Sequence, residues 1–230
     1  MELGIAGRTA FVVGGSGLLG RAVATALRSE GARVVLGARD RSRLSEAARG
    51  LSFRTLDTLD EGSVRAAVEQ IGDIDILVNA AAPRAQTLNM ARDRDPGQVV
   101  AEFEAKAMGY LRVMNAVLPG MRDRGFGRVV NISGQGAHVT LSVTGAVRNQ
   151  AVITVSKVLA DEYAGSGVTV NVVNPGVVVT GAPSTAIAPG SPGESTPAQV
   201  AAVVTFLCSA AAGGVSGESV AVGHRVRGVQ

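Results

Sequence analysis

The sequence has no tryptophan, and aromatic residues make up only 3% of its 230 residues. Its core must therefore be packed from Val, Leu, Ile and Ala, which suits strands covered on both faces of a parallel sheet. A single cysteine, Cys208, excludes an intramolecular disulfide and any multi-cysteine zinc site. It stands in an apolar helical stretch and reads as a small core residue; no metal is expected. No apolar segment reaches the ~18 residues needed to cross a bilayer. No basic segment followed by an apolar run and a cleavage site opens the chain. No membrane association and a cytoplasmic location are therefore expected. Charge is sparse too, at 18% against 46% hydrophobic residues. Lys+Arg exceed Asp+Glu by 22 to 19 and the pI is near 9.6. No Lys/Arg run with interleaved aromatics accompanies that excess, so nucleic acid is not an expected partner.

What is present is an alternation. Apolar runs at Thr9–Val13, Arg33–Leu36, Leu51–Leu56, Ile74–Val78, Arg128–Ile132, Val168–Val173 and Ser219–Val222 read as strands. Helical spacing fills the stretches between them: Leu18–Glu30, Arg41–Arg49, Glu61–Ile71, a long helix Pro96–Arg124, another at Val143–Ala164, and Pro197–Ala211. This βαβ order predicts an α/β fold, a doubly wound parallel sheet of seven strands with helices on both faces, in one domain spanning residues 1–230. Ligands of such sheets bind at the carboxyl ends of the strands. The Pro-, Gly-, Ser- and Thr-rich stretch Gly181–Pro197 reads as a lid at that edge.

Gly14-Gly15-Ser16-Gly17-Leu18-Leu19-Gly20 follows the first strand and opens the first helix. Glycines there allow a sharp turn and close approach to a pyrophosphate, which a helix N-terminus attracts; the alternative is a tight turn with no ligand. Arg39 stands just after the second strand, where an arginine accommodates a ribose 2′-phosphate and an acidic residue would bond a 2′-hydroxyl. Arg41 and Arg43 add charge nearby, while Asp40 opposes it. NADP(H) is expected over NAD(H).

With these features in place, the chain resembles the short-chain dehydrogenase/reductase family along essentially its whole length. Gly14 to Gly20 resembles the family's glycine motif, with Leu18 where a glycine is usual. Asp57 matches the aspartate that holds the adenine. Asn79-Ala80-Ala81-Ala82 is similar to the motif after strand four. Asn174-Pro175-Gly176, with Val178 and Thr180, resembles the loop that holds the nicotinamide amide, and Ser216-Gly217-Glu218 is also typical. The resemblance implies a Rossmann-type fold, a nucleotide site formed by these residues with Ser16, Gly17, Leu19, Ala81 and Asn149, and a homodimer or homotetramer built through the two long helices.

The catalytic positions depart from the family pattern. Alignment on Val130-Asn131-Ile132-Ser133 puts Gly134 at the serine, with Ser133 adjacent. Gly145 falls at the tyrosine, Asn149 at the lysine and Lys106 at the asparagine. Carbonyl reduction needs a proton donor beside the hydride acceptor, and Gly145 has no side chain to supply one. Lys106 is the leading substitute, since a partly buried lysine has a lowered pKa; the alternative is a lysine that reaches solvent or a partner subunit. His138, one of two histidines, lies in the loop after strand five and is a second candidate acid, or else a surface histidine. Arg148 binds an anionic substrate group or pairs with an acidic neighbour. Ser133, Gln135, Ser142 and Thr144 are polar and close by.

Two functions remain open at this point. One is an atypical NADP(H)-dependent oxidoreductase acting on a carbonyl or activated alkene of a small molecule. The other is a non-redox protein on the same scaffold: a cyclase, isomerase or dehydratase, or a nucleotide-binding partner without turnover.

Overall fold

Short runs of Val, Ile and Leu with apolar side chains on both faces can be buried only in a sheet covered on both sides. The computed structural model describes residues 2–48, 50–82, 88–138, 142–184 and 193–223. In it the first six such runs are β1 (Thr9–Val13), β2 (Arg33–Ala38), β3 (Ser52–Thr55), β4 (Ile76–Asn79), β5 (Gly127–Ile132) and β6 (Val168–Pro175). Two short strands, β7 (Val177–Val178) and β8 (Glu194–Ser195), pair with each other, and β9 (Ser219–Val222) closes the main sheet. All pairings in the seven-stranded sheet are parallel, in the order β3-β2-β1-β4-β5-β6-β9. The order reverses between β1 and β4, which opens a crevice at their carboxyl ends.

The helices are α1 (Leu18–Ser29), α2 (Arg41–Ala48), α3 (Glu61–Ile71), α4 (Pro96–Phe103), α5 (Gly109–Asp123), α6 (Val143–Glu162) and α7 (Pro197–Leu207). Alternation along each strand divides the core. Phe11, Val13, Leu77, Val129 and Val170 face α3, α5 and α6, whereas Ala10, Val12, Ile76, Val78 and Val130 face α1, α2 and α7. Each fully buried Val, Leu or Ile contributes about 1.5–3 kcal/mol, so the two layers hold the strand ends rigidly. Cys208 lies in the second layer, fully buried, and burial pushes its thiol pKa up.

Helix starts follow their capping chemistry. The Asp60 carboxylate accepts from Gly62 N at 2.8 Å and Ser63 N at 3.2 Å, Asp95 accepts from Gly97 N at 2.8 Å ahead of α4, and Thr196 and Gln199 form a capping box on α7. The helix expected over Pro96–Arg124 is interrupted: Glu104–Met108 forms a π-helical turn between α4 and α5. The last helix ends at Leu207 instead of Ala211, because the Ser209 side chain and backbone close a 3-10 turn over Ala210–Ala212. Residues 185–192 of the expected lid lie outside the described residues. Gly193, at its end, is tied down: its carbonyl accepts from Val177 N at 2.8 Å and its N–H donates to Gln135 Oε1 at 3.2 Å. Among the described residues no helix is long and apolar enough to cross a membrane, and no group of His, Cys, Asp and Glu could hold a metal.

Candidate active site

At the β1–α1 turn, Gly14 adopts φ +85°, and a β-carbon there would stand 2.5 Å from the Ala80 and Ala81 backbone. A β-carbon on Gly20 would stand 2.2 Å from the Gly14 carbonyl oxygen. The turn therefore needs Gly14 to lie against the loop after β4, which brings Ala81 beside it, and Gly20 to let α1 close against the turn. The N-cap of α1 is Gly17, which has no side chain to cap with, and the N–H groups of Leu18, Leu19 and Gly20 have no acceptor among the described residues. Free donors at the positive end of a helix form an anion site. Leu18, 44% exposed, lines a groove with Thr180, Thr196 and α7.

Other expected nucleotide contacts converge on the same edge. Asn79, at the end of β4, is fully buried; its Nδ2 donates to Asn131 Oδ1 at 2.9 Å, while its own Oδ1 has no partner. Such an orphaned acceptor suits a ligand or water donor. Arg39 is exposed directly after β2 and makes no hydrogen bond or ion pair among the described residues. The Asp40 carboxylate is occupied at the start of α2, accepting from Arg43 N at 3.1 Å, and Arg41 lies over the Phe53 ring. Asp57 Oδ1 accepts from Leu59 N at 3.0 Å, fixing the loop after β3. Pro175 ends β6, Gly176 N donates to Val222 O at 3.1 Å, Val178 pairs in β7, and Thr180 is exposed beyond it. Uncapped N–H groups, an exposed arginine and an orphan amide oxygen fit a dinucleotide.

At the carboxyl end of β5, three of the four expected catalytic residues meet. Lys106, in the π-helical turn, is 4% exposed; its Nζ donates to Ser133 O at 2.9 Å and to Asn149 Oδ1 at 2.7 Å. Ser133 Oγ donates to Asn149 O at 2.8 Å. Burial lowers the Lys106 pKa to about 7, helped by the Arg148 charge and opposed by Glu102. Arg148 pairs with Glu102, so the acidic-neighbour reading of Arg148 holds in this structure. His138 is half-buried at the end of a 3-10 turn, and its side chain bonds none of these groups among the described residues. Gln135 ties the turn to Gly193 and, at 3.4 Å, to Val222 O.

Neither tyrosine replaces the missing acid. Tyr110 is buried one turn beyond Lys106 with its hydroxyl on Ile132 O at 3.1 Å, and burial pushes its pKa up. Tyr163 lies at the far end of α6 beneath Arg122. A residue the sequence did not mark is Asp93, whose carboxylate accepts from Ser142 Oγ at 2.5 Å, Val143 N at 2.7 Å and Thr144 N at 3.1 Å. These bonds hold its pKa below the usual carboxylate value, that from Ser142 most strongly. A lone aspartate fifty residues from the helix it caps carries no local signal.

Residues 8–188 match the family model of the short chain dehydrogenases. The chain belongs to the short-chain dehydrogenase family. It is 34% identical, over 94% of its length and 93% of the relative's, to (2S)-[(R)-hydroxy(phenyl)methyl]succinyl-CoA dehydrogenase subunit BbsC of Thauera aromatica. It is 32% identical to acetoacetyl-CoA reductase of Shinella zoogloeoides, over 93% and 95% of the two chains. The structure of L-sorbose reductase from Gluconobacter frateurii, complexed with NADPH and L-sorbose, superposes with a TM-score of 0.83 at 26% identity, covering 100% of both chains.

As a short-chain dehydrogenase, the chain has the family's parallel sheet and belongs to a family that binds nicotinamide dinucleotides. Gly145, Asn149 and Lys106 lie on two helical segments that face each other. Gly145, in the first turn of α6, offers only a backbone N–H, which donates to Ser142 Oγ at 3.0 Å. Asn149, one turn further on, receives the Lys106 ammonium from the other helix.

Proposed function

We propose that this short-chain dehydrogenase is an NADP(H)-dependent oxidoreductase that acts on a carbonyl or activated alkene of a small organic molecule. The observation that carries the reading is the Lys106 ammonium seated between Ser133 O and Asn149 Oδ1, which returns a positive charge to the reacting edge of the sheet. A bound nicotinamide dinucleotide supplies the hydride. The free N–H groups of α1 hold its pyrophosphate, Asp57 its adenine, and the Gly176–Thr180 segment its carboxamide. Arg39 supports the phosphorylated form, because its guanidinium is exposed and Asp40 is occupied in capping α2. Lys106 is too buried to reach a substrate directly, so it acts by its field, and the proton comes from water or from His138. Exposed Val100, Val143, Val147 and Val158 on α4 and α6 supply an apolar face through which copies of the chain pair.

Calorimetric titration with NADPH and NADH, followed by NADPH consumption with ketones and enones, tests the reading. Tight NADPH binding with turnover supports it; no binding of either nucleotide refutes it. Arg39→Glu is expected to weaken NADPH about 10–100-fold and leave NADH nearly unchanged. A second reading, a partner subunit that does not itself transfer hydride, is favoured by the missing side chain at Gly145 and by a relative named as a dehydrogenase subunit. NADPH binding without turnover supports that alternative.

A further inference from the structure

Lys106 brings charge into the interior without a carboxylate of its own. The nearby acid, Glu102, is bonded to Arg148, so two cations and one anion share the space between α4, α5 and α6. Burying surplus charge costs several kcal/mol, and such groups concentrate where a ligand's charge offsets the cost. Asn149 points that charge outward. With its Oδ1 held by Lys106, its Nδ2 faces the Gly134–Gly136 turn, 3.4 and 3.0 Å from where β-carbons on those glycines would stand. The glycines leave this face of the amide uncovered. Asn149 is only 7% exposed, and its Nδ2 has no acceptor among the described residues. A hydrogen bond from an ammonium to the amide oxygen polarises the amide and strengthens its N–H donors.

We infer that Asn149 Nδ2, backed by Lys106, is an oxyanion-binding group, and that the substrate is an α,β-unsaturated carbonyl compound whose enolate oxygen it holds. This rests on the oxidoreductase reading above. An amide N–H stabilises a negative oxygen but gives up no proton. The Ser133 hydroxyl proton is directed at Asn149 O, Gly145 has none to offer, and the His138 side chain bonds none of these groups among the described residues. Reduction of a simple ketone leaves a strongly basic alkoxide that needs an acid in the same step. An enolate is far less basic and needs hydrogen-bond donors. The hydride forms a C–H bond at the β-carbon, and the alkene π pair shifts to place the negative charge on oxygen. The α-carbon then takes a proton from water, leaving hydroxide for the solvent to neutralise. The alkene gains two electrons and the dinucleotide loses two. Asn149 is the catalytic residue in this scheme and Lys106 the positioning residue behind it.

The probe is p-nitrophenol, a delocalised oxyanion whose absorbance reports its ionisation, added to the NADP⁺-loaded protein across a pH series. Wild type is expected to lower the bound phenol's pKa by at least about one unit, a roughly tenfold preference for phenolate. Lys106→Met and Asn149→Asp should both abolish the shift. The new carboxylate in Asn149→Asp pairs with Lys106, which keeps the fold, as circular dichroism would verify. Phenolate held equally well by Asn149→Asp overturns the inference. So does loss of NADP⁺ affinity in Asn149→Asp with the phenolate shift intact, because the amide would then face the nucleotide. Faster turnover of ketones than of matched enones overturns the substrate class. Failure of wild type to bind NADPH would instead count against the underlying reading.

Discussion

Replacing Lys106 by Met removes a buried ammonium while nearly keeping its volume. In the folded protein Lys106 titrates near 7, against 10.5 for an ordinary lysine. Its folded pKa is depressed, so above pH 7 the unfolded chain holds a proton that the folded chain has released. Stability then rises with pH, by about 1.4 kcal/mol per unit until the ordinary lysine value is reached. Between pH 7 and 9 this one residue adds about 2.5 kcal/mol, and below pH 7 its contribution is flat and at its least favourable. Lys106→Met lacks this slope. The expected result of urea denaturation is a variant at least as stable as wild type at pH 6, since the desolvation cost of the charge outweighs the two hydrogen bonds lost. The advantage shrinks by about 2.5 kcal/mol at pH 9. Parallel pH profiles for the two proteins would refute the reasoning, because they would mean that Lys106 keeps an ordinary pKa in the folded state.

Three further variants have outcomes set by the geometry. Gly20→Ala forces a β-carbon to within 2.2 Å of the Gly14 carbonyl oxygen; it should cost about 1–3 kcal/mol in urea denaturation and weaken NADPH in calorimetry. Gly17→Ala, whose β-carbon would stand 3.2 Å from the same oxygen, should cost less. Asp93→Ala should lower the melting temperature at neutral pH by freeing the start of α6. Because the Asp93 pKa is depressed, its contribution is present above the ordinary carboxylate pKa and lost as pH falls through the lowered value. The gap between variant and wild type should therefore close in acid, as followed by thermal unfolding at a series of pH values.

The strands were legible because Val, Ile and Leu runs buried on both faces leave few other options, and the helices because apolar residues recur at helical spacing between those runs. The π-helical turn at Glu104–Met108 was not, since one extra residue in a turn leaves the apolar spacing nearly unchanged. At the site, the meeting of Lys106, Ser133 and Asn149 was foreseeable from family register. The direction of their bonds was not, because it depends on which oxygen of a neighbouring helix or strand each donor reaches. Gln135 was one of several polar residues close by in sequence, and nothing there marked it as the side chain that fastens Gly193. Asp93 and the Glu102–Arg148 pair are tertiary partners separated by about fifty residues in sequence, and no short-range pattern announces such pairs.

The wide turn between α4 and α5 also acts as a phase shifter. Glu102 lies before it and Lys106 within it, while Tyr110 follows after. If the same residues were instead wound as ordinary α-helix, Glu102 would rotate by roughly 90° relative to Tyr110. The carboxylate would swing away from Arg148, stranding one guanidinium and one ammonium charge together. The winding of this one segment is therefore tied to the electrostatics beneath it.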